Sequence, residues 1–133
     1  MAKLQQMVGN LGYSTTSTGD NQNFSFQWQA NYNYTINFEV SKDDKLAYAY
    51  VRLGTFGPAK LAKLDYAKLL EVSDTSDFYF SMEKQSDGKS EALFGDMIVP
   101  MSGLTPEGLR SQLQAMGDKL DQSAAIWDYS LWK

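Results

Sequence analysis

The sequence predicts an α+β fold, in which helices pack on an antiparallel sheet in the order α-β-β-β-α-β-β-α. Two patterns lead to this prediction. Apolar residues recur at helical spacing near both ends and once mid-chain, and they alternate with polar residues in the segments between. Helices and strands also lack the regular alternation of a parallel sheet. The length of 133 residues fits a single domain over residues 1–133.

The first predicted element is a short amphipathic helix. Its apolar face consists of Leu4, Met7, Val8 and Leu11. Gly12 is placed to end the helix, because glycine adopts the left-handed cap conformation at little cost. The polar stretch over residues 14–23 then predicts a loop.

Two strands follow, and their apolar residues are all even-numbered. These residues are Phe24, Phe26, Trp28, Tyr32, Tyr34, Ile36, Phe38 and Val40. If these residues are to lie on one face of a hairpin, its loop must have an odd number of residues. A loop at residues 29–31 meets this condition and sets Trp28 opposite Tyr32. A single bent strand is the alternative. Because the opposite face is polar, core packing is favoured over a stacking platform for bases or sugars.

A turn at Asp43 and Asp44 leads into the third strand. An even-length loop there predicts the pairs Val40–Ala47, Phe38–Ala49, Ile36–Val51 and Tyr34–Leu53. Large residues thus face smaller ones, as in a packed sheet. The opposite face of this strand carries Tyr48, Tyr50 and Arg52.

The middle of the chain predicts one helix that begins near Pro58, after a break in the sheet at residues 54–57. Proline suits the first helical turn, where its missing donor costs nothing. One side of this helix collects Leu61, Ala62, Tyr66, Leu69 and Val72. Leu64 falls outside that stripe, among the lysines, and is therefore expected at the surface.

A turn at residues 73–77 is followed by a second hairpin and the last helix. Asp87-Gly88 is a strong hairpin signal. The predicted pairs are Phe78–Met97, Phe80–Gly95 and Met82–Leu93. Thr105 is a good N-cap for the last helix. Its apolar stripe runs through Leu109, Leu113, Met116, Leu120, Ala124 and Trp127, with Gly117 near the edge.

The composition excludes several classes of function. The chain has no Cys and no His, which excludes disulfides, thiol nucleophiles, His-based triads and thiolate or imidazole metal sites. Its net charge of −4 argues against nucleic acid. No apolar run is long enough to span a membrane, and the spaced apolar residues near the start are not typical of a signal peptide. We therefore expect a cytoplasmic protein with no cofactor and no metal.

Carboxylates are the remaining candidates for acid–base chemistry. Asp118 and Asp121 share the polar side of the last helix, and a solvated helix face is favoured over a catalytic pair. Asp43, Asp44 and Asp87 lie at predicted turns, where aspartate commonly bonds the local backbone. We therefore predict no catalytic residue.

Apolar residues that the pattern places outside the core are more informative. Together with Arg52 they form the predicted partner-binding set: Tyr48, Tyr50, Arg52, Leu64, Tyr79, Phe94 and Ile98. Several such residues on one sheet face are typical of a surface that binds another protein. The alternative is that a helix of the same chain covers this face.

The element order and the closing helix resemble the type III secretion chaperone fold and the related YbjN-type sensory-regulator proteins. The most similar stretch runs through Leu69-Leu70, Phe78-Tyr79-Phe80, Met97-Ile98-Val99-Pro100 and Leu104-Thr105-Pro106-Glu107-Gly108-Leu109. The resemblance is topological and covers nearly the whole chain. It implies a homodimer without catalysis that binds an extended segment of another protein.

The sequence therefore predicts a non-enzymatic chaperone or adaptor that binds a protein segment. One alternative is a small-ligand-binding or regulatory domain, with a pocket between the aromatic sheet face and the helices. The other is an enzyme that uses only carboxylates, Lys or Tyr, which requires a buried titrating group in a cleft.

Overall fold

The computed structural model describes residues 2–17, 23–73 and 77–132. The helices are α1 (Ala2–Asn10), α2 (Pro58–Leu61), α3 (Tyr66–Val72), α4 (Pro106–Gln122) and α5 (Ala124–Trp127), followed by a 3-10 helix (Tyr129–Leu131). The strands are β1 (Thr16–Ser17), β2 (Asn23–Gln29), β3 (Asn33–Val40), β4 (Leu46–Phe56), β5 (Phe78–Lys84) and β6 (Glu91–Pro100). The predicted α+β class is confirmed.

The strands form one six-stranded antiparallel sheet in the order β1-β2-β3-β4-β6-β5. Alternate residues of each strand point to one face, where they join the apolar sides of the helices in a single core. The even-numbered aromatic residues of β2 and β3 lie in this core, so the core-packing prediction is confirmed. Within the part of the chain that the structure describes, the helices leave the other face of the sheet uncovered.

The predicted registers of the β3–β4 and β5–β6 hairpins are confirmed over the residues that pair. Phe38 pairs with Ala49 and Val40 with Ala47, although the β3–β4 ladder ends at Asn37, before the other two predicted pairs. All three predicted pairs of the β5–β6 hairpin are present. Gly88 closes that hairpin with a positive φ of 70°.

The first hairpin differs from the prediction by two residues in register. Trp28 pairs with Tyr34 instead of Tyr32, and the loop is formed by residues 30–32. The Ala30 amide donates to the Tyr32 carbonyl at 2.9 Å and closes this loop. Because the loop has an odd number of residues, even-numbered side chains of both strands still lie on the same face of the sheet. The buried face was therefore predicted correctly, although the register was not.

The middle helix is broken, which overturns the predicted position of Leu64. After α2 ends at Leu61, the chain turns, and the Asp65 side chain caps α3 by accepting a hydrogen bond from the Lys68 amide at 3.1 Å. Because of this turn, Leu64 does not take the position among the lysines that it would have in one continuous helix. Leu64 is instead 5% exposed and packs in the core.

Other boundaries also differ from the sequence prediction. β4 does not stop at Gly54 but continues to Phe56, with an irregular register between Arg52 and Gly54 that absorbs the bend. β1 lies within a stretch that was predicted as loop. The rest of that loop at residues 18–22, and most of the predicted turn at residues 74–76, lie outside the described residues.

The last predicted helix contains a junction at Ser123, where α4 gives way to α5. Ser123 is fully buried, and its hydroxyl donates to the Leu120 carbonyl at 3.0 Å while accepting from the Trp127 indole at 3.0 Å. Thr105 caps the start of α4 through the Gly108 amide at 3.0 Å, as predicted. The buried stripe from Leu109 to Trp127 is confirmed.

Candidate partner-binding surface

The solvent-facing side of the sheet, which we call the outer face, brings most of the predicted partner-binding residues together. Strand pairing across β3, β4, β6 and β5 aligns its side chains in rows. The rows are Glu39–Tyr48–Ile98, Asn37–Tyr50–Asp96–Tyr79 and Arg52–Phe94–Ser81. The intervening residues Ala47, Ala49 and Val51 are buried on the other side, which fixes the direction of the rows.

The apolar side chains of the outer face remain accessible. Tyr48 is 36% and Tyr79 40% exposed. Tyr50, Phe94 and Ile98 are half-buried, and part of that burial comes from neighbours on the same face, since the Tyr50 and Phe94 rings meet edge-on at 6.1 Å. The described helices contribute to the core on the opposite side. The alternative in which a helix of this chain covers the outer face is therefore not found in the described residues.

Asp96 lies at the centre of the outer face, between Tyr50 and Tyr79. The Ser81 hydroxyl donates to its Oδ2 at 2.5 Å. Burial raises the pKa of the Asp96 carboxyl, and the hydrogen bond from Ser81 offsets only part of that rise. Sequence reasoning missed this residue. The sequence does contain a sign of it. Asp96 is an acidic residue among the residues of β6 that point outward, with Phe94 two residues before it and Ile98 two residues after it.

The two tyrosines beside Asp96 stay protonated over a wide pH range. Burial raises the pKa of Tyr50, and the charges of Glu39 and Asp96 add to the rise. Burial likewise raises the pKa of Tyr79, with contributions from Asp96 and Tyr48. Both side chains therefore present hydroxyl groups that can donate hydrogen bonds.

Arg52 is the basic residue of the outer-face rows, and it is engaged away from Asp96. Its Nη2 donates to Thr55 Oγ1 at 2.7 Å and to Gln85 Oε1 at 3.1 Å. Its guanidinium carbon lies 5.9 Å from the centre of the Phe94 ring. Across the residues that the structure describes, Asp96 has no ion pair with Arg52 or any lysine.

Leu64 is the predicted surface residue that the structure removes from this set. It is buried in the core, away from solvent, because of the break between α2 and α3. The same break leaves Tyr66 48% and Leu70 73% exposed on α3. Tyr66 was predicted on the buried stripe, so sequence reasoning missed both of these as surface residues.

The carboxylates of the last helix have structural partners. Asp121 is half-buried and accepts hydrogen bonds from the Tyr34 hydroxyl at 2.7 Å and the Asn31 amide at 3.3 Å. It thereby joins α4 to the first hairpin, and its predicted solvation is wrong because the hairpin loop reaches it. Asp118 is exposed, as predicted, and accepts from Gln114 Nε2 at 3.1 Å.

Asp43 and Asp87 bond the local backbone at their turns, as predicted. Asp43 accepts from the Ser41 hydroxyl at 2.6 Å and the Lys45 amide at 3.1 Å, and these bonds lower its pKa. The backbone amides of Ser90 and Lys89, each at 2.8 Å, lower the pKa of Asp87. Within the described ranges, no three His, Cys, Asp or Glu side chains are grouped so that they could hold a metal ion.

Clefts also lie away from the outer face. One of about 630 Å³ separates α3 from the C-terminal helices, and its lining includes Lys63, Lys68, Glu71, Ile126 and Trp132. A second of about 180 Å³ lies between the β5–β6 hairpin and α4, and its lining includes Phe78, Met97 and Met116. The second cleft is the one at the position predicted for a ligand pocket.

The described helices include none that is both long and apolar enough to cross a membrane. Comparison of the sequence with known proteins finds no matching family profile and no matching curated protein. Comparison of the structure with solved structures does find matches. YbjN from E. coli superposes with a TM-score of 0.66 at 14% identity, over 97% of this chain and 90% of that one.

A chaperone–effector complex, HopA1–SchA, contains a chain that matches with a TM-score of 0.60 at 9% identity, over 94% of this chain and 90% of that one. The chain has the type III secretion chaperone/YbjN fold. This fold also matches an uncharacterized protein from Methanothermobacter thermautotrophicus, with a TM-score of 0.61 at 10% identity over 98% and 97% of the two chains. The fold expected from the resemblance is confirmed.

Proposed function

We propose that this protein is a non-enzymatic chaperone or adaptor that binds an extended segment of a partner protein on its outer face. The supporting observation is the accessible cluster of Tyr48, Tyr50, Tyr79, Phe94 and Ile98 on a sheet face that the described helices leave open. Aromatic side chains of this kind supply most of the binding energy at protein interfaces.

The sheet geometry suits an extended segment. Among the described strands, β5 ends the sheet and pairs with β6 alone, so its other edge can offer backbone groups to an added strand. The outer-face rows lie beside this edge. Every second side chain of a segment added along β5 would therefore extend these rows past Tyr79 and Ser81, from where a long side chain can reach across the outer face.

The matched HopA1–SchA structure supports this proposal, because it is a complex of a chaperone with an effector protein and contains a chain of the same fold. The small-ligand alternative has weaker support. The cleft at its predicted position measures about 180 Å³, below the roughly 300 Å³ at which ligand pockets begin.

Homodimerisation is a second part of the proposal. Tyr66 and Leu70 lie four residues apart on α3 and are both exposed, so they form one apolar strip on that helix. We propose that the strip contacts the same strip of a second copy, and that the dimer works in the cytoplasm. Light scattering should give twice the mass of the chain for the wild type and a monomer mass for Leu70→Lys. A wild-type monomer would contradict this part.

Random linear peptides displayed on phage, selected against the wild-type protein, test the proposed binding face. Selected peptides should bind the double variant Tyr48→Ser/Tyr79→Ser at least about fivefold more weakly, as expected for loss of interface aromatics. Tyr129→Ser is the matched control, because Tyr129 is also 40% exposed but lies in the 3-10 helix. If both variants bind equally to wild type, the outer face is not the binding surface.

A further inference from the structure

The centre of the outer face combines an acidic group with an apolar surround. Asp96 lies in one row with Tyr50 and Tyr79, and the rows on either side place Ile98 and Phe94 next to it on β6. Any partner that covers the aromatic cluster therefore also covers this carboxylate. Covering an ionised carboxylate without a compensating partner is costly.

The protein's own cations do not neutralise this carboxylate. Arg52 lies over the Phe94 ring and is held there by its hydrogen bonds to Thr55 and Gln85. Throughout the described ranges, the sole hydrogen bond to the Asp96 carboxylate is the one from the Ser81 hydroxyl. The Asp96 carboxylate can consequently accept further hydrogen bonds from a group of a binding partner.

We propose that Asp96 binds a lysine or arginine side chain of the partner segment, with Tyr50 and Tyr79 on either side of the bound cation. This inference rests on the proposed function and specifies the chemistry of the partner. A basic side chain supplies charge-assisted hydrogen bonds to the carboxylate, and aromatic neighbours attract cations. A purely apolar segment would bury the charge unpaired, so the site discriminates against such a segment.

The raised pKa of Asp96 agrees with this arrangement. Burial already disfavours its charged form in the free protein, and a cation at hydrogen-bond distance reverses that effect. The charge of Glu39 at the end of the neighbouring row, beside Tyr48, has the same sign and adds to the attraction for a basic partner.

The row spacing also predicts a sequence pattern in the partner. Consecutive rows are two residues apart along β4, at Tyr48, Tyr50 and Arg52, which corresponds to about 7 Å. An extended segment parallel to the strands presents every second side chain at the same spacing. The preferred pattern is therefore a basic residue with an apolar residue two positions away on each side.

Parallel selections of displayed random linear peptides on wild type and on Asp96→Asn test this inference. Asp96→Asn keeps the shape and an oxygen that accepts the Ser81 bond, but removes the charge. Asp118→Asn is the matched control, because it removes the same charge from the exposed side of α4. Affinities are then measured for one selected peptide and for its copy with norleucine in place of the basic residue.

Peptides selected on wild type and on Asp118→Asn should carry Lys or Arg at one shared position, whereas peptides selected on Asp96→Asn should not. The norleucine copy should bind wild type about tenfold more weakly, and should bind Asp96→Asn as well as the basic peptide does. Peptides that need Tyr48 and Tyr79 but show no basic preference would overturn this inference and leave the proposed function intact. Peptides indifferent to the outer face would overturn both.

Discussion

Two glycines determine how closely α4 approaches the sheet. A Cβ atom on Gly117 would lie 2.8 Å from the Trp28 indole nitrogen, and one on Gly95 would lie 2.7 Å from a Leu120 methyl group. Both contacts are shorter than van der Waals packing allows. At Gly117 the neighbour is a rigid indole, whereas at Gly95 it is the end of a leucine side chain, with the Phe78 ring at 3.3 Å behind it. The requirement for glycine is therefore stricter at Gly117.

Gly117→Ala should destabilise the fold. Overpacking costs about 1–3 kcal/mol, and the better helix propensity of alanine returns about 1 kcal/mol. We expect a net loss of about 1 kcal/mol in the free energy of unfolding, measured by urea denaturation. Gly9→Ala is the control, because nothing lies within 4 Å of a Cβ there. It should be neutral or stabilising, and equal effects of the two substitutions would contradict the close approach.

Asp96→Asn should stabilise the free protein at neutral pH. The pKa of Asp96 is raised in the folded state, so the fold is penalised above that pKa, where the carboxyl ionises, and unpenalised below the unfolded pKa, where it is protonated in both states. The gain in melting temperature should therefore be present at pH 7 and vanish as the pH falls through these values. A variant less stable than wild type at pH 7 would contradict this account.

At the scale of elements, patterns that depend on one strand or one helical turn were predictable from sequence. The parity of β2 and β3 placed their aromatic residues in the core, and the Asp87-Gly88 turn fixed the β5–β6 register. The position at which a helix is interrupted was not predictable. The Asp65 cap divides the middle helix. Leu64, which does not fit the stripe of a single helix, is the trace of this break in the sequence, but it fits an exposed residue on an unbroken helix equally well.

Leu64 gives a direct test of that divided helix. In the structure it is buried, so Leu64→Ala should lower the free energy of unfolding by about 2–4 kcal/mol. Leu131→Ala is the matched control, because Leu131 is 53% exposed, and it should change the free energy by less than about 0.5 kcal/mol. A continuous helix with Leu64 at the surface would make the two substitutions equally mild.

At the scale of the whole molecule, the sheet separates two environments. One side is closed by helices over an aromatic core, and the other presents aromatic residues around the Asp96 carboxylate. Alternation along β4, β6 and β5 was enough to predict most of the outer-face residues from sequence. The position of Asp96 at their centre follows from the pairing of β4 with β6, which joins strands separated by the middle helices and is not encoded in any local pattern.

The outer face is the surface on which we propose that a partner segment binds. Amide chemical shifts of the labelled protein, recorded during titration with a peptide selected on the wild type, test it most directly. The largest shift changes should map to β4, β6 and β5, around Tyr50, Asp96 and Tyr79. Changes confined to the cleft between α3 and the C-terminal helices, around Lys68 and Ile126, would contradict it.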